Sequence, residues 1–219
     1  IFYQIALATA KVLNVDSVVI GHDARRSSPA LALALVDGFL DAGVDVIDIG
    51  LCGTEEVYFA TPHFEASAGL MVTASHNPID YNGIKFVGKG SRPLVVDSEF
   101  DRIREEAEIG GNPPSKEKKG FYFAKRIEAR DAFIDKILDV VGPDSLPPLK
   151  VVVNCGNGAA GPATAAIAEK LSGKHLVLFA DIDGHFPNLH PNPVDPETLD
   201  ILRQAVAESG AAIGIGFDG

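Results

Sequence analysis

The sequence predicts an α/β protein of two consecutive three-layer α/β/α domains with mixed, mostly parallel sheets, the second incomplete. Three observations carry that reading. Short β-branched runs ending at glycine alternate with helically spaced apolar residues over 17–20, 30–42 and 45–50, the rhythm of βαβ units. The same rhythm restarts at 149–153 after the breakers Gly142-Pro143 and Pro147-Pro148, which places a boundary between Gly142 and Leu149 and gives domains 1–145 and 146–219. Finally, 46% of the 219 residues are hydrophobic, enough to fill two ordinary cores.

In chain order, Ile1, Ile5, Ala8, Val12 and Leu13 mark a helix over 1–14 that begins without an N-cap. Residues 17–20 read as a buried parallel strand. The loop after it runs Gly21-His22-Asp23-Ala24-Arg25-Arg26-Ser27-Ser28-Pro29. Ser28 as N-cap and Pro29 as first helical residue would set Arg25 and Arg26 at a helix N-terminus, where anions are favoured. A capped loop with solvated arginines fits the same residues. A helix over 30–42 and a strand over 45–50 follow. Gly53-Thr54-Glu55-Glu56 caps a helix reaching about Phe64 and is assigned no chemistry.

The next strand, 70–73, leads into Thr73-Ala74-Ser75-His76-Asn77-Pro78, and Tyr81-Asn82-Gly83-Ile84-Lys85 comes soon after. A hydroxyl, an imidazole, an amide and an amine thus gather where a parallel strand ends, the edge on which open α/β sheets bind ligands. Pro78 fixes its own φ and Asn82-Gly83 is a tight-turn dipeptide, so the loop is shaped. That pre-organisation suits a reacting group, although an ordinary surface loop has the same composition. Lys85 in a strand over 84–87 faces away from Ile84 and Phe86, toward Ser75 or toward water.

Further on, 96–109 reads as a charge-rich amphipathic helix, 110–120 as a linker with a solvated lysine cluster, and 129–141 as a helix. The second rhythm has strands over 149–153, 175–179 and 212–216 and helices over 160–171 and 196–208. At its start, Gly156-Asn157-Gly158-Ala159-Ala160-Gly161 matches a dinucleotide fingerprint, with Asp181 about twenty residues on. Glycines at a strand-to-helix turn also serve sharp turning and close packing without a ligand.

Charge narrows the partners. Nineteen Lys plus Arg against thirty Asp plus Glu leave a formal charge of −11, which argues against nucleic acid or an anionic membrane as main partner. A small anionic substrate must then meet local cations. Cys52 and Cys155 are far apart and outside any metal-ligand spacing, as expected of a reducing cytoplasm. No stretch has the length and flanks of a signal peptide or membrane span. A start without Met and an ending at Phe217-Asp218-Gly219 suggest a fragment.

The serine loop, with Asn82-Gly83-Ile84-Lys85 behind it, resembles the active-site loop of the α-D-phosphohexomutases, in their phosphomannomutase/phosphoglucomutase branch. Gly21-His22-Asp23-Ala24-Arg25 resembles the family's arginine loop, and Asn154-Cys155-Gly156-Asn157-Gly158 the turn opening its second domain, with Asn154 where aspartate is common. Asp183-Gly184-His185-Phe186-Pro187-Asn188-Leu189-His190-Pro191-Asn192-Pro193 resembles a later loop, Leu189 standing where histidine is usual. Gly214-Ile215-Gly216-Phe217-Asp218-Gly219 looks like the start of the family's Asp-Gly-Asp-Gly-Asp-Arg metal loop.

The resemblance implies a four-domain enzyme that interconverts hexose 6-phosphate and hexose 1-phosphate, of mannose first and glucose second, through a phosphoserine and a hexose 1,6-bisphosphate. Ser75 would carry the phosphoryl group, and Ser75 and Asp218 would bind Mg²⁺. Arg25 would lie beside the phosphoserine, with Arg26 an extra cation. His76 and Lys85 would move the proton, and Arg25, His76, Asn77 and Lys85 would contact substrate. Residues 1–219 alone are expected not to complete the reaction. Two other classes stay open: a dehydrogenase built on Gly156, Gly158 and Gly161, and a non-catalytic phosphosugar-binding module.

Overall fold

The computed structural model describes residues 1–113, 119–142, 144, 146–188, 190 and 192–218. Most of the linker lysine cluster, Leu189 and Gly219 lie outside the described residues. The chain forms two compact units.

The first unit comprises Ile1–His22, Ser27–Thr73 and Gly83–Ala129. It contains α1 (Phe2–Leu13), β1 (Ser17–His22), α2 (Ser28–Asp41), β2 (Asp45–Leu51), α3 (Thr54–His63), β3 (Ala68–Val72), β4 (Ile84–Gly88), α4 (Asp101–Ile109) and β5 (Tyr122–Ala124). The strands lie in the order β4-β3-β1-β2-β5, with β4 antiparallel to β3 and the other pairs parallel. Alternation along each strand supplies both faces. Val18 and Ile20 enter a core with Phe39 and Leu35 of α2 and Ala6 of α1, while Val19 enters the opposite core with Val57 and Ala60 of α3. Every residue of β3 is buried, so it reads as a continuous apolar run, as expected of a strand covered on both faces.

The second unit comprises Asp23–Arg26, Ala74–Asn82 and Arg130–Gly219. It holds most of α5 (Arg126–Val141), then β6 (Leu149–Asn154), α6 (Gly161–Lys170), β7 (Gly173–Leu178), α7 (Pro196–Ser209) and β8 (Ile213–Gly216). Its sheet has the order β7-β6-β8 and is parallel throughout. Both units are therefore α/β with mixed or parallel sheets, as the sequence predicts.

Three local expectations change. Tyr122–Ala124 is an unanticipated strand on the edge of the first sheet, parallel to β2, and three exposed residues are too few to show a period. The helix expected over 96–109 divides into a π-helical turn, Val96–Phe100, and α4. The cap of α2 is Ser27 rather than Ser28, with αR dihedrals and no side-chain cap hydrogen bond. Its N-terminus is organised by Pro29 and the backbone instead.

The glycine motif after β6 serves the chain's own turn. Gly156 has φ +56° and Asn157 φ +60°. A Cβ on Gly161 would lie 1.9 Å from the Ala180 carbonyl oxygen, so glycine lets α6 start against that backbone. Among the described residues no helix is long and apolar enough to cross a membrane.

Candidate active site

The serine loop is a sequence of turns tied to its own backbone. Asn77 N–H donates to the Ala74 carbonyl at 3.1 Å and its side-chain amide reaches the same oxygen at 2.8 Å, while Tyr81 N–H donates to Pro78 at 3.0 Å. Within this loop Ser75 has φ +54°, the left-handed region that side-chain-bearing residues occupy only when their surroundings impose it.

Arg25 imposes it. The residue is 1% exposed, and its guanidinium donates to four carbonyls of the loop: Ser75, Asn77 at 2.7 Å, Pro78 at 2.7 Å and Tyr81 at 3.3 Å. The remaining direction, Nε, meets Asp23 Oδ2 at 3.1 Å, and Asp23 Oδ1 accepts the Arg25 N–H at 3.0 Å. All five guanidinium N–H directions are thus matched to oxygens of one small region. Arg25 is a brace under the backbone of Ser75, its charge compensated by buried Asp23. Sequence reasoning missed Asp23, whose signal was the Asp-x-Arg spacing that lets a carboxylate hold both the backbone and the side chain of the arginine.

Above that brace, Ser75 Oγ donates to Asp218 Oδ2 at 2.7 Å, and His76 Nδ1 lies 3.3 Å from the same oxygen. Asp218 follows β8 directly, and the Phe217 N–H donates to the Asn154 carbonyl at 3.0 Å. Parallel pairing of β6 with β8 therefore delivers Asp218 to the serine. A hydroxyl, an imidazole and a carboxylate meet at a solvent-exposed point, since His76 and Asp218 side chains are 57% and 47% exposed.

Residues 1–110 match the description "Phosphoglucomutase/phosphomannomutase, alpha/beta/alpha domain I" and residues 131–219 match "alpha/beta/alpha domain II" of the same group. The chain belongs to the phosphoglucomutase/phosphomannomutase family. It is 47% identical over 225 residues to a phosphomannomutase of Salmonella typhimurium, covering 100% of this chain and 49% of that protein. It is 44% identical over 220 residues to a protein named "Phosphohexose mutases" from Xanthomonas campestris pv. campestris, covering 99% and 48%. Among solved structures, a phosphoglucomutase/phosphomannomutase family protein of Burkholderia thailandensis superposes with TM-score 0.80 at 34% identity, covering 100% of this chain and 48% of that one. The chain spans about half the length of the curated relatives it matches.

The remaining expected site residues of this family member are placed as follows. Asn77 and His76 are exposed on the serine loop, the Asn77 amide turned back on Ala74. Arg26 is exposed beside the buried Arg25. Lys85 is half-buried on β4, opposite Met71 of β3 in the antiparallel register. In the later loop, His185 is bound to Asp183 through its backbone N–H at 2.9 Å and Nδ1 at 2.8 Å, hydrogen bonds that hold the Asp183 carboxyl below its ordinary range. His190 Nδ1 lies 3.2 Å from Asp195. Asn154 is buried, its Oδ1 accepting from Gly156 N–H at 2.9 Å.

As a cation site, Ser75 Oγ and the Asp218 carboxylate offer oxygen donors of the kind a hard divalent ion takes. Among the described residues no group of three or more His, Cys, Asp or Glu is assembled for a metal. The oxygen set fits Mg²⁺ in kind.

Proposed function

We propose that the protein carrying this chain is a cytoplasmic phosphohexomutase that interconverts hexose 6-phosphate and hexose 1-phosphate through a phosphoserine at Ser75 and a hexose 1,6-bisphosphate. Mannose phosphates are the first substrates and glucose phosphates the second. The observation that carries the reading is the strained, braced Ser75 with its hydroxyl on Asp218. Relatives named phosphomannomutase and phosphohexose mutases support it. The domain limits 1–145 and 146–219 belong to the same reading.

In the forward step the phosphorus–oxygen bond to Ser75 breaks as a bond forms to the sugar hydroxyl. The hydroxyl proton passes to Lys85 or His76, and Ser75 Oγ leaves with the electron pair of the broken bond as the alkoxide. The bisphosphate then turns over, and its other phosphate returns to Ser75. Such transfer depends on alignment and charge neutralisation more than on covalent help. Arg25 contributes by fixing the Ser75 backbone, and its buried charge adds to the field near the transferring group. His76 and Asn77 stand exposed on the same loop, positioned to meet the sugar phosphate. Bound at Ser75 and Asp218, Mg²⁺ would offset negative charge on the phosphoryl oxygens.

The test is a coupled mutase assay on the full-length protein with mannose 1-phosphate and glucose 1-phosphate, alongside a search for phosphoserine by peptide mass spectrometry. Turnover with the label on Ser75 supports the reading. No turnover of any hexose phosphate, or label on Ser27 or Ser28, overturns it.

A further inference from the structure

Asn157, in the glycine motif after β6, does more than turn the chain. Its φ of +60° is one that glycine adopts without strain, as Gly156 beside it does at +56°. An asparagine that is 5% exposed stands there instead, and all four of its polar atoms meet the segment after β7. Its N–H donates to the Phe179 carbonyl at 2.9 Å, and its carbonyl accepts the Asp183 N–H at 3.0 Å. Its amide nitrogen donates to the Asp181 carbonyl at 2.8 Å, and its amide oxygen accepts from the Asn188 side chain at 2.8 Å. Because a backbone carbonyl only accepts, the contact with Asp181 fixes which side-chain atom is the nitrogen. One residue thus clamps the segment 179–188 at both ends and in the middle.

The clamped segment reaches the arginine loop. Asp183 and Phe186 close a turn, the Phe186 N–H donating to the Asp183 carbonyl at 2.9 Å, and Gly184 lies within it. A Cβ on Gly184 would lie 2.2 Å from the Ala24 carbonyl oxygen and 3.3 Å from the Arg26 nitrogen. Those atoms belong to the two peptide groups that flank Arg25, so Gly184 backs the stretch of chain from which the brace extends. Its φ lies outside the left-handed region, and glycine here serves close approach alone. Asn157, Gly184, Arg25 and Ser75 all belong to the second unit. Within it they form one continuous series, ending where the Arg25 guanidinium donates to the Ser75 carbonyl.

We propose that Asn157 is a positioning residue for Ser75, acting through Gly184 and Arg25. It holds 179–188 so that Gly184 supports the Arg25 backbone, and Arg25 in turn imposes the left-handed conformation of Ser75. The grip of Arg25 on four carbonyls fixes the serine only as firmly as the Arg25 backbone is itself held. This rests on the mutase reading for its significance, because Ser75 is there the phosphoryl carrier and a misplacement of ~1 Å costs about a hundredfold in rate. A turn that served only the start of α6 would need neither an amide at 157 nor the close contact at 184.

The experiment reads the serine loop itself. Backbone hydrogen–deuterium exchange of the full-length protein is followed by mass spectrometry beside Asn157→Gly, Gly184→Ala and Asn188→Ala. Asn157→Gly accepts the same dihedrals and removes both side-chain bonds, and Gly184→Ala presses a methyl group on the Ala24 carbonyl. Asn188→Ala removes a single bond from an exposed residue, so it keeps the test alive if a stronger variant fails to fold. Exchange over 74–82, where the Asn77 and Tyr81 N–H groups are bonded within the loop, is expected to rise about two- to tenfold in each folded variant with α7 unchanged, the equivalent of one neutral hydrogen bond lost from the support. In the active enzyme kcat should fall about tenfold or more while KM stays within about twofold. A rise confined to 179–188 overturns the proposal, and so does a uniform rise that includes α7, since a merely structural role predicts those patterns. Raised exchange at 74–82 with kcat unchanged overturns it as well. The exchange readout needs no mutase activity. Faster exchange at 74–82 in a protein that turns over no hexose phosphate would uphold the link from Asn157 to Ser75 and sink the function proposed above.

Discussion

Ser75 donates its hydroxyl hydrogen to Asp218 Oδ2 at 2.7 Å across 143 residues of sequence. The contact joins the loop after β3 to the loop after β8 within one compact unit. Asp218→Asn in the full-length protein is expected to preserve the fold while lowering kcat by about two to three orders of magnitude, the range for losing one preorganised electrostatic group. Circular dichroism and coupled turnover check the two halves. Near-normal kcat would remove Asp218 from the site.

Arg25→Met is expected to destabilise the protein by about 3–5 kcal/mol, because it strands the buried Asp23 charge and leaves four loop carbonyls without their donor. Urea unfolding measures this. Arg25→Lys should recover only part of the loss, since an ammonium has three donors and no planar fork. A loss below about 1 kcal/mol, the range of an exposed ion pair, would contradict the brace.

Lys85→Ala is expected to slow turnover of the full-length enzyme by about two to four orders of magnitude, the usual cost of losing an acid or base. Stability should change by less than about 1 kcal/mol, as for most substitutions of partly exposed polar residues. An active Lys85→Ala enzyme would exclude Lys85 from proton transfer.

Asp48 predicts an acid-sensitive element in the first unit. Burial raises its carboxyl, but hydrogen bonds from Arg126, Tyr122 and Gly50 outweigh burial and leave it lowered overall. A carboxylate with a depressed folded value stabilises above its unfolded value, near about 4, and the contribution is lost as pH falls through the folded value. Asp48→Asn is therefore expected to flatten the fall of stability below about pH 4. Chemical denaturation at pH 7 and at pH 3.5 would show it, and parallel acid dependence in both proteins would count against it.

Gly161→Ala places a methyl carbon 1.9 Å from the Ala180 carbonyl oxygen. Backbone cannot move aside as a flexible side chain can, so a loss of about 1–3 kcal/mol is expected in urea unfolding. A neutral substitution would show that the turn's glycine is not needed for packing.

The sequence by itself determined the alternation of strands and helices, because strands buried on both faces appear as apolar runs and amphipathic helices carry a 3.6-residue period. It also determined the shaped loop around Ser75, whose Pro78 and Asn82-Gly83 constrain the backbone locally. The edge strand Tyr122–Ala124 was not legible, because its identity lies in a hydrogen-bond ladder to β2 rather than in any pattern of its three residues. The same limit hid the role of Arg25: a sequence shows a cation near a helix start, and only the folded chain shows its donors aimed at Ser75, Asn77, Pro78 and Tyr81. Local backbone preference and hydrophobic period are written in neighbouring residues, whereas the partners of a buried charge are chosen by parts of the chain that meet only in the tertiary structure.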